Sequence, residues 1–314
     1  MHTPVLLQEV ITGLNIKKNG LYIDATVGEG GHMLEIAKRG GKVLGIDLDE
    51  KQVQNLSYVI LGRSEVTTPE PLLDSGRTFA ESDSASLARM TSNIVLVQGN
   101  FADIEEIAIK NNFFPVDGVL FDLGLSLDQI QKSGRGFSYK NLDEPLDMRI
   151  DTTITMTAAN LVKSLAQNEL YEIFAHFSEE INSLAISQAL VRTRSLRPIN
   201  KVGDLIKIID QVLGQKNKKT SARIFQALRI AVNNELENLK KGLKGALRVL
   251  KNQGRIMVIS FHSLEDRIVK QFIRQNNLKQ LNKKIIISSN GLEFERSAKM
   301  RITIKVFREG GINI

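Results

Sequence analysis

Five short apolar runs, separated by stretches with helical spacing, restrict this chain to a narrow set of folds. "LYIDATV" (21–27), "KVLGIDLD" (42–49), "IVLVQGN" (94–100), "VDGVLFDLG" (116–124) and "RIMVISF" (255–261) are of strand length and rich in Val, Ile and Leu, without regular polar alternation. Strands of that composition are buried on both faces, which places them in a parallel sheet covered by helices on each side. Two further runs, "KKIIISS" (283–289) and "MRITIKVF" (300–307), flank a loop containing Asn290-Gly291 and read as a closing antiparallel pair. The expected fold is α/β and Rossmann-like, with a mostly parallel sheet and an antiparallel closing strand.

The βαβ rhythm breaks twice. Residues 61–93 are rich in Ser, Thr, Pro and Glu and read as a surface insertion. Between about Ser126 and Thr220 no strand run occurs, while "TAANLVKSLAQNELYEIFAHF" and "SLAISQALVRTR" have helical spacing. The spacing thus predicts a sheet domain over 1–125 and 221–314, with a mostly helical domain inserted at 126–220. The sheet domain resumes with one long helix from about Ser221 to Leu250, carrying Phe225, Leu228, Val232, Leu236, Leu239, Leu243, Leu247 and Leu250 on one stripe. Asn233, Asn234 and Glu235 interrupt that helix with poor helix formers and charge, as a solvated face or a functional edge.

At the edge where such sheets bind ligands, "DATVGEGGH" follows the first strand with Gly28, Gly30 and Gly31 before a helix. A triphosphate loop needs Lys and then Ser or Thr after its glycines, and "GGHM" stands here instead. A dinucleotide turn spaces its third glycine differently. Asp47 ends the second strand nineteen positions after Gly28, where a carboxylate accepts from ribose hydroxyls. The pair narrows the ligand to an adenosine-type cofactor. Asp24 then tips the balance: a carboxylate at this edge repels a pyrophosphate but suits S-adenosylmethionine, whose sulfonium and ammonium are cationic. A nicotinamide or flavin cofactor and a purely structural turn remain the alternatives.

Other strand ends open onto the same edge. Phe101 in "GNFADI" is placed to lie against an adenine, and Asp103 either touches the cofactor or, as the favoured role, caps the following helix. Asp122 ends the fourth strand without the Pro-Pro-aromatic sequel of DNA amino-methyltransferases. His262 and Ser263 follow the fifth strand, with Ser263 and Asp266 also reading as a helix start. Arg135, Phe137 and Tyr139 in "SGRGFSY", with Asp147 and Arg149 in "PLDMR", offer either a platform for an unstacked base or a folded loop with Phe137 in a core and the two charges paired locally. Arg296, Lys299 and Arg301 in "RSAKMR" make a phosphate-contacting patch or a solvated hairpin.

Charge narrows the partner. Residues 201–314 hold 24 Lys and Arg against 9 Asp and Glu, a net of +15, whereas residues 1–200 hold 18 against 26, a net of −8. Such asymmetry suits a polyanion, most simply nucleic acid, with a well-solvated surface as the plain alternative. No apolar run approaches the roughly 18 residues of a membrane helix, and "MHTPVLLQEVITGL" does not read as a signal peptide. The absence of cysteine excludes disulfides and thiolate metal sites and fits a cytoplasmic protein. The four histidines lie far apart and form no ligand motif, so no metal is expected.

Taken together, "HTPVLLQEV", "DATVGEGGH", "GNFADI", "DLGLS", "RGFSYKNLDEPLDMR", "FQALRIAVNNEL", "ISFHSLEDRIVK" and "RSAKMR" resemble, in order and spacing, the bacterial 16S ribosomal RNA cytosine-N4 methyltransferases. The resemblance runs from His2 to about Arg301 and implies a class I S-adenosylmethionine-dependent methyltransferase fold with an inserted helical domain. It implies N4-methylation of a decoding-centre cytidine of 16S rRNA in the 30S subunit; the sequence leaves monomer and homodimer equally open. The donor-binding positions it implies are Gly30, Gly31, His32, Asp47, Phe101, Asp122 and Gln129. Asp122 and Ser126 are then the candidate acceptors for the amine protons. Arg135, Phe137, Asp147, Arg149, Asn233, His262, Arg296 and Lys299 are the candidate substrate contacts. The chain departs from the family where Leu125-Ser126-Leu127-Asp128-Gln129 replaces the usual Val-Ser-Ser-Pro-Gln, and where the 61–93 link is longer than usual. Two other functions compete: an RNA-binding assembly factor that retains a donor pocket, and a nicotinamide-dependent oxidoreductase.

Overall fold

In the computed structural model, which describes residues 4–60, 92–282, 286–287 and 297–306, the predicted apolar runs form one sheet. Its strands are β1 (Leu21–Asp24), β2 (Lys42–Asp47), β3 (Ile94–Gln98), β4 (Val116–Asp122), β5 (Leu250–Ser260), β6 (Lys279–Gln280), β7 (Ile286–Ile287) and β8 (Lys299–Ile304). The spatial order is β3-β2-β1-β4-β5-β8-β6, with β7 also paired to β8. β1 to β5 run parallel and β8 is antiparallel to β5, as expected from the sequence. The order reverses between β1 and β4, which opens a crevice at their carboxyl ends.

Alternate residues of each central strand enter different cores, which explains the absence of polar alternation. Ile23, Leu44, Val119, Phe121, Ile256 and Val258 pack on one face with Leu239, Leu243 and Ala246 of the helix Glu235–Val249. Tyr22, Val43, Leu120, Met257 and Ile259 pack on the other with Val10, Ile11, Met33 and Ile36 from the helices Leu7–Leu14 and Gly31–Lys38. Apart from Ser92 and Asn93, the expected 61–93 insertion lies outside the described residues, as does the Asn290-Gly291 loop.

The chain divides into two compact units, Met1–Gly124 with Asn238–Ile314, and Leu125–Glu237. The first boundary lies next to the one expected, but the second falls at 237/238 rather than at 220/221. The expected helix over 221–250 is two helices, Lys218–Asn233 and Glu235–Val249, broken where Asn234 takes the left-handed conformation at φ 51°. Its single apolar stripe serves two cores. Phe225, Leu228 and Val232 are buried in the helical unit, whereas Leu239, Leu243 and Leu250 are buried under the sheet.

Within the helical unit, the helix Lys218–Asn233 packs on Gln167–Ser178, which packs in turn on Ser183–Arg194. Asn233 does more than end its helix. Its Oδ1 accepts from the Ile150 N–H at 2.8 Å, and its Nδ2 donates to the Met148 carbonyl at 2.8 Å and the Arg229 carbonyl at 2.9 Å. Asn233→Ala leaves the buried Met148 carbonyl and the half-buried Ile150 N–H without these partners. Denaturant unfolding should show a loss of about 3 kcal/mol, and a loss below about 0.5 would mean that water replaces the amide.

Candidate active site

The glycine turn is built by close approach and by positive φ. Gly30 caps the helix Gly31–Lys38 at φ 82°, and a Cβ there would stand 2.6 Å from Leu56 Cδ1. Gly28 also has positive φ, at 51°, and an added Cβ would point into open space. The backbone is thus bared at the crevice, beside the positive end of a helix.

Three carboxylates end neighbouring strands here: Asp24 on β1, Asp47 on β2 and Asp122 on β4. Asp47 Oδ2 accepts from the Gly28 N–H at 2.7 Å and its Oδ1 from the Asp49 N–H at 2.9 Å, so it is fixed to the turn while each oxygen retains acceptor capacity. Asp24 is fully buried, and only its Oδ1 has a partner, the Thr26 N–H at 3.3 Å. Burial pushes the carboxyls of Asp24 and Asp47 up to about 6. Asp47 remains partly exposed at its surface, and it is the surroundings of the carboxylate that carry the effect.

His32 is buried on the first turn of the following helix, with Nε2 3.4 Å from Asp122 Oδ2. That is ion-pair distance without hydrogen-bond geometry, because both ring nitrogens lack a hydrogen-bond partner. Burial acts to lower the imidazole pKa, but Asp122 and Asp24 together outweigh it and hold it above the ordinary value. Thr26, which the sequence reading passed over, binds two of these strand ends together: its N–H donates to Asp24, and its Oγ1 accepts from the Asp122 N–H at 2.7 Å.

Among the described residues, five buried side-chain polar atoms have no hydrogen-bond partner: Asp24 Oδ2, His32 Nδ1 and Nε2, Asp122 Oδ1 and His262 Nε2. All five belong to residues at the carboxyl edge of β1, β4 and β5 or to the glycine-turn helix. Buried polar atoms are rarely left unsatisfied, and their convergence at one crevice marks a place for a polar ligand. The surplus of carboxylate selects a cationic one, which fits S-adenosylmethionine and opposes a pyrophosphate.

The other expected site residues divide. Phe101 packs edge-on against Phe121 with centroids 5.7 Å apart, and lies against the helix backbone at Gly242, where a Cβ would stand 2.7 Å from its ring. Asp103 occupies a helix N-cap position without a side-chain cap bond; Asn100 caps the preceding turn instead. His262, not Ser263, caps the helix Ser263–Gln275, and Glu265 closes the box by accepting from the His262 N–H at 3.2 Å. Asp266 is committed to a buried ion pair with Arg301, at 2.6 and 3.2 Å, which removes Arg301 from the expected phosphate patch. Lys299 begins β8 opposite Ser260, and Arg296 lies outside the described residues.

In the helical unit, Ser126 and Gln129 form a reciprocal capping box. Ser126 Oγ accepts from the Gln129 N–H at 3.1 Å, and Gln129 Oε1 accepts from the Ser126 N–H at 3.0 Å. The helix start, more than any ligand, accounts for this pair. Arg149 donates to both carboxylate oxygens of Asp147, at 2.7 and 2.8 Å, so the two charges pair locally, and Arg149 lowers the carboxyl pKa despite the opposing effect of burial. Arg135 donates to the Arg149 and Ile150 carbonyls, each at 2.9 Å, and its guanidinium lies 5.3 Å from the centroid of the Phe137 ring. Phe137 and Tyr139 are partly buried against the helical core. The loop is folded by its own side chains, as the plainer alternative expected.

Comparison with known proteins agrees with this edge chemistry. The model of the MraW methylase family matches residues 1–66 and 72–307. A ribosomal RNA small subunit methyltransferase H of Mycoplasma mycoides is 37% identical, over 97% of this chain and 90% of its own length. A protein of the same name from Thermomicrobium roseum is 41% identical over 87% of this chain and 77% of its own, and one from Dictyoglomus thermophilum is 37% identical over 96% of each. By its sheet order, its glycine turn and this match along nearly its whole length, the chain belongs to the MraW methylase family and is a class I methyltransferase that uses S-adenosyl-L-methionine.

Proposed function

We propose that the protein methylates N4 of a decoding-centre cytidine in 16S rRNA of the small ribosomal subunit, as a cytoplasmic enzyme acting on the 30S particle. The observation that carries this reading is the buried Asp24 Oδ2, Asp122 Oδ1 and His32 Nδ1 left without partners at the donor edge, within a chain whose relatives are named for the small-subunit rRNA they methylate. The strongly basic C-terminal third supports an RNA substrate.

S-adenosylmethionine supplies the electrophilic methyl group. Gly28 to Gly31 would offer bare backbone to it, Asp47 would accept from its ribose hydroxyls, Phe101 would lie at the adenine end, and Asp24 and His32 would set the charge around its methionyl portion. The exocyclic nitrogen of cytosine is a weak nucleophile because its lone pair is conjugated into the ring. Most of the rate therefore comes from orientation, with acceptors holding the amine hydrogens so that the lone pair faces the methyl group. Asp122 is the acceptor at this edge, since its Oδ1 is buried and lacks a partner. Asp122 would take the excess amine proton released on methylation and pass it to water. The helical unit, with the Arg135–Phe137 stack and the braced 147–150 loop, serves as the RNA-recognition part.

The test is transfer of labelled methyl from S-adenosylmethionine to 30S subunits lacking the modification, with nuclease mapping of the product. Label in N4-methylcytidine at a decoding-centre position supports the reading. Donor binding without transfer to 30S subunits or free 16S RNA refutes it and favours an assembly factor that keeps a donor pocket.

A further inference from the structure

The helix Ser263–Gln275 starts beside the donor edge, just after β5, and its 13 residues carry it roughly 20 Å away at the usual rise per residue. Its far end meets the opposite edge of the sheet, because Lys279 of β6 pairs with Ile304, which itself pairs with Arg255 at the start of the parallel part of β5. A groove of about 380 Å³ opens there, lined by Lys270, Ile273, Arg274, Asn277, Leu278 and Gln280. Ile273 and Leu278 form an apolar floor, while Lys270, Arg274 and Asn277 are exposed on its walls.

The local charge is positive beyond what the neighbouring carboxylate neutralises. Asp266 is buried and already shared by Arg301 and by Lys270, the latter at 3.0 Å, which leaves Arg274 and the adjacent exposed Lys279 as excess cations. Arg274 on the helix, Lys279 at the start of β6, the exposed Asn277 carboxamide and an apolar floor match a sugar–phosphate segment: cations for phosphate oxygens, the amide for a hydroxyl, the floor for the ribose.

We propose that this groove is a second RNA contact, seating a backbone segment of the folded substrate about 20 Å from the donor edge along the helix. The proposal rests on the reading that the substrate is ribosomal RNA. Only a large folded RNA reaches both places at once, so the groove acts in holding the particle and takes no part in methyl transfer.

The test uses the full chain carrying Arg274→Glu with Lys279→Gln, the two cations not shared with Asp266. Affinity for 30S subunits should fall about tenfold near physiological salt, and the log–log salt dependence should become shallower by about one per lost cation. Donor affinity and kcat at saturating 30S should stay within about twofold, as expected for a contact remote from the chemistry. Unchanged 30S affinity and salt slope overturn the proposal. Loss of donor binding together with RNA binding in the double variant also counts against it, unless Arg274→Glu alone reproduces the selective loss. Wild-type protein that neither binds nor methylates 30S subunits overturns the rRNA reading itself, an outcome seen before any variant is made.

Discussion

Asp122→Asn should lower kcat for methyl transfer by about 10²- to 10³-fold, the range typical of a positioned proton acceptor, while donor affinity falls far less. The asparagine fills the same space and still accepts through its carbonyl, but it carries no charge and takes no proton. The backbone position survives, because the Asp122 N–H donates to Thr26 Oγ1 irrespective of the side chain. The substitution also removes the nearest anion from His32, 3.4 Å away, so the imidazole pKa falls towards neutral behaviour. Single-turnover transfer to 30S subunits, with donor affinity by calorimetry, separates the effects. A kcat within threefold of wild type would remove Asp122 from the proton path. Ser126→Ala is expected to act differently: it breaks a capping box, at about 1 kcal/mol, with little change in kcat.

The second large effect lies at Asp24. Its carboxyl is raised from 3.8 to about 6 by complete burial. The folded protein therefore binds this proton more tightly than the unfolded chain does, and stability is lost as pH rises from about 4 through 6. Two pKa units amount to about 3 kcal/mol, an order-of-magnitude figure for a charge with charged neighbours. Asp24→Asn should consequently raise the melting temperature of the ligand-free protein by several degrees at pH 7.5 and leave it nearly unchanged near pH 4. The same substitution should weaken S-adenosylmethionine binding by about 10- to 100-fold at pH 7.5, since it removes a charge that faces a cation. Wild-type donor affinity should itself increase as pH rises through 6, where Asp24 and Asp47 ionise. An Asp24→Asn protein that melts lower and binds the donor normally would show that the carboxylate is structural.

These two effects share an origin. A site that destabilises the empty protein by burying carboxylates is stabilised by the cation it receives, so donor binding and stability are linked.

The strands, their parallel order and the three carboxylates that end them were legible in the chain. An apolar run of four to seven residues without alternation leaves few options other than a strand buried on both faces, and the residue that ends it then falls at a predictable edge. The glycine turn was legible for a similar reason, since a Cβ at Gly30 would meet Leu56. The break at Asn234 was not, although two asparagines and a glutamate marked it. The apolar stripe keeps its period across the break because both halves bury a face, and periodicity does not say in which core.

Polar side chains were decided by the tertiary structure alone. Asn233, Asp266 and Arg301 carry groups equally suited to a ligand, a cap or a brace, and their choice depends on which distant backbone or side-chain group comes within hydrogen-bond reach. For Asn233 that partner is 83 residues away in the chain at Ile150, and for Asp266 it is 35 residues away at Arg301. Local period and composition were enough to place the carboxyl edge of the sheet and the sign of its charge. Which polar atoms remain without partners at that edge became fixed only when distant segments had met and satisfied the rest.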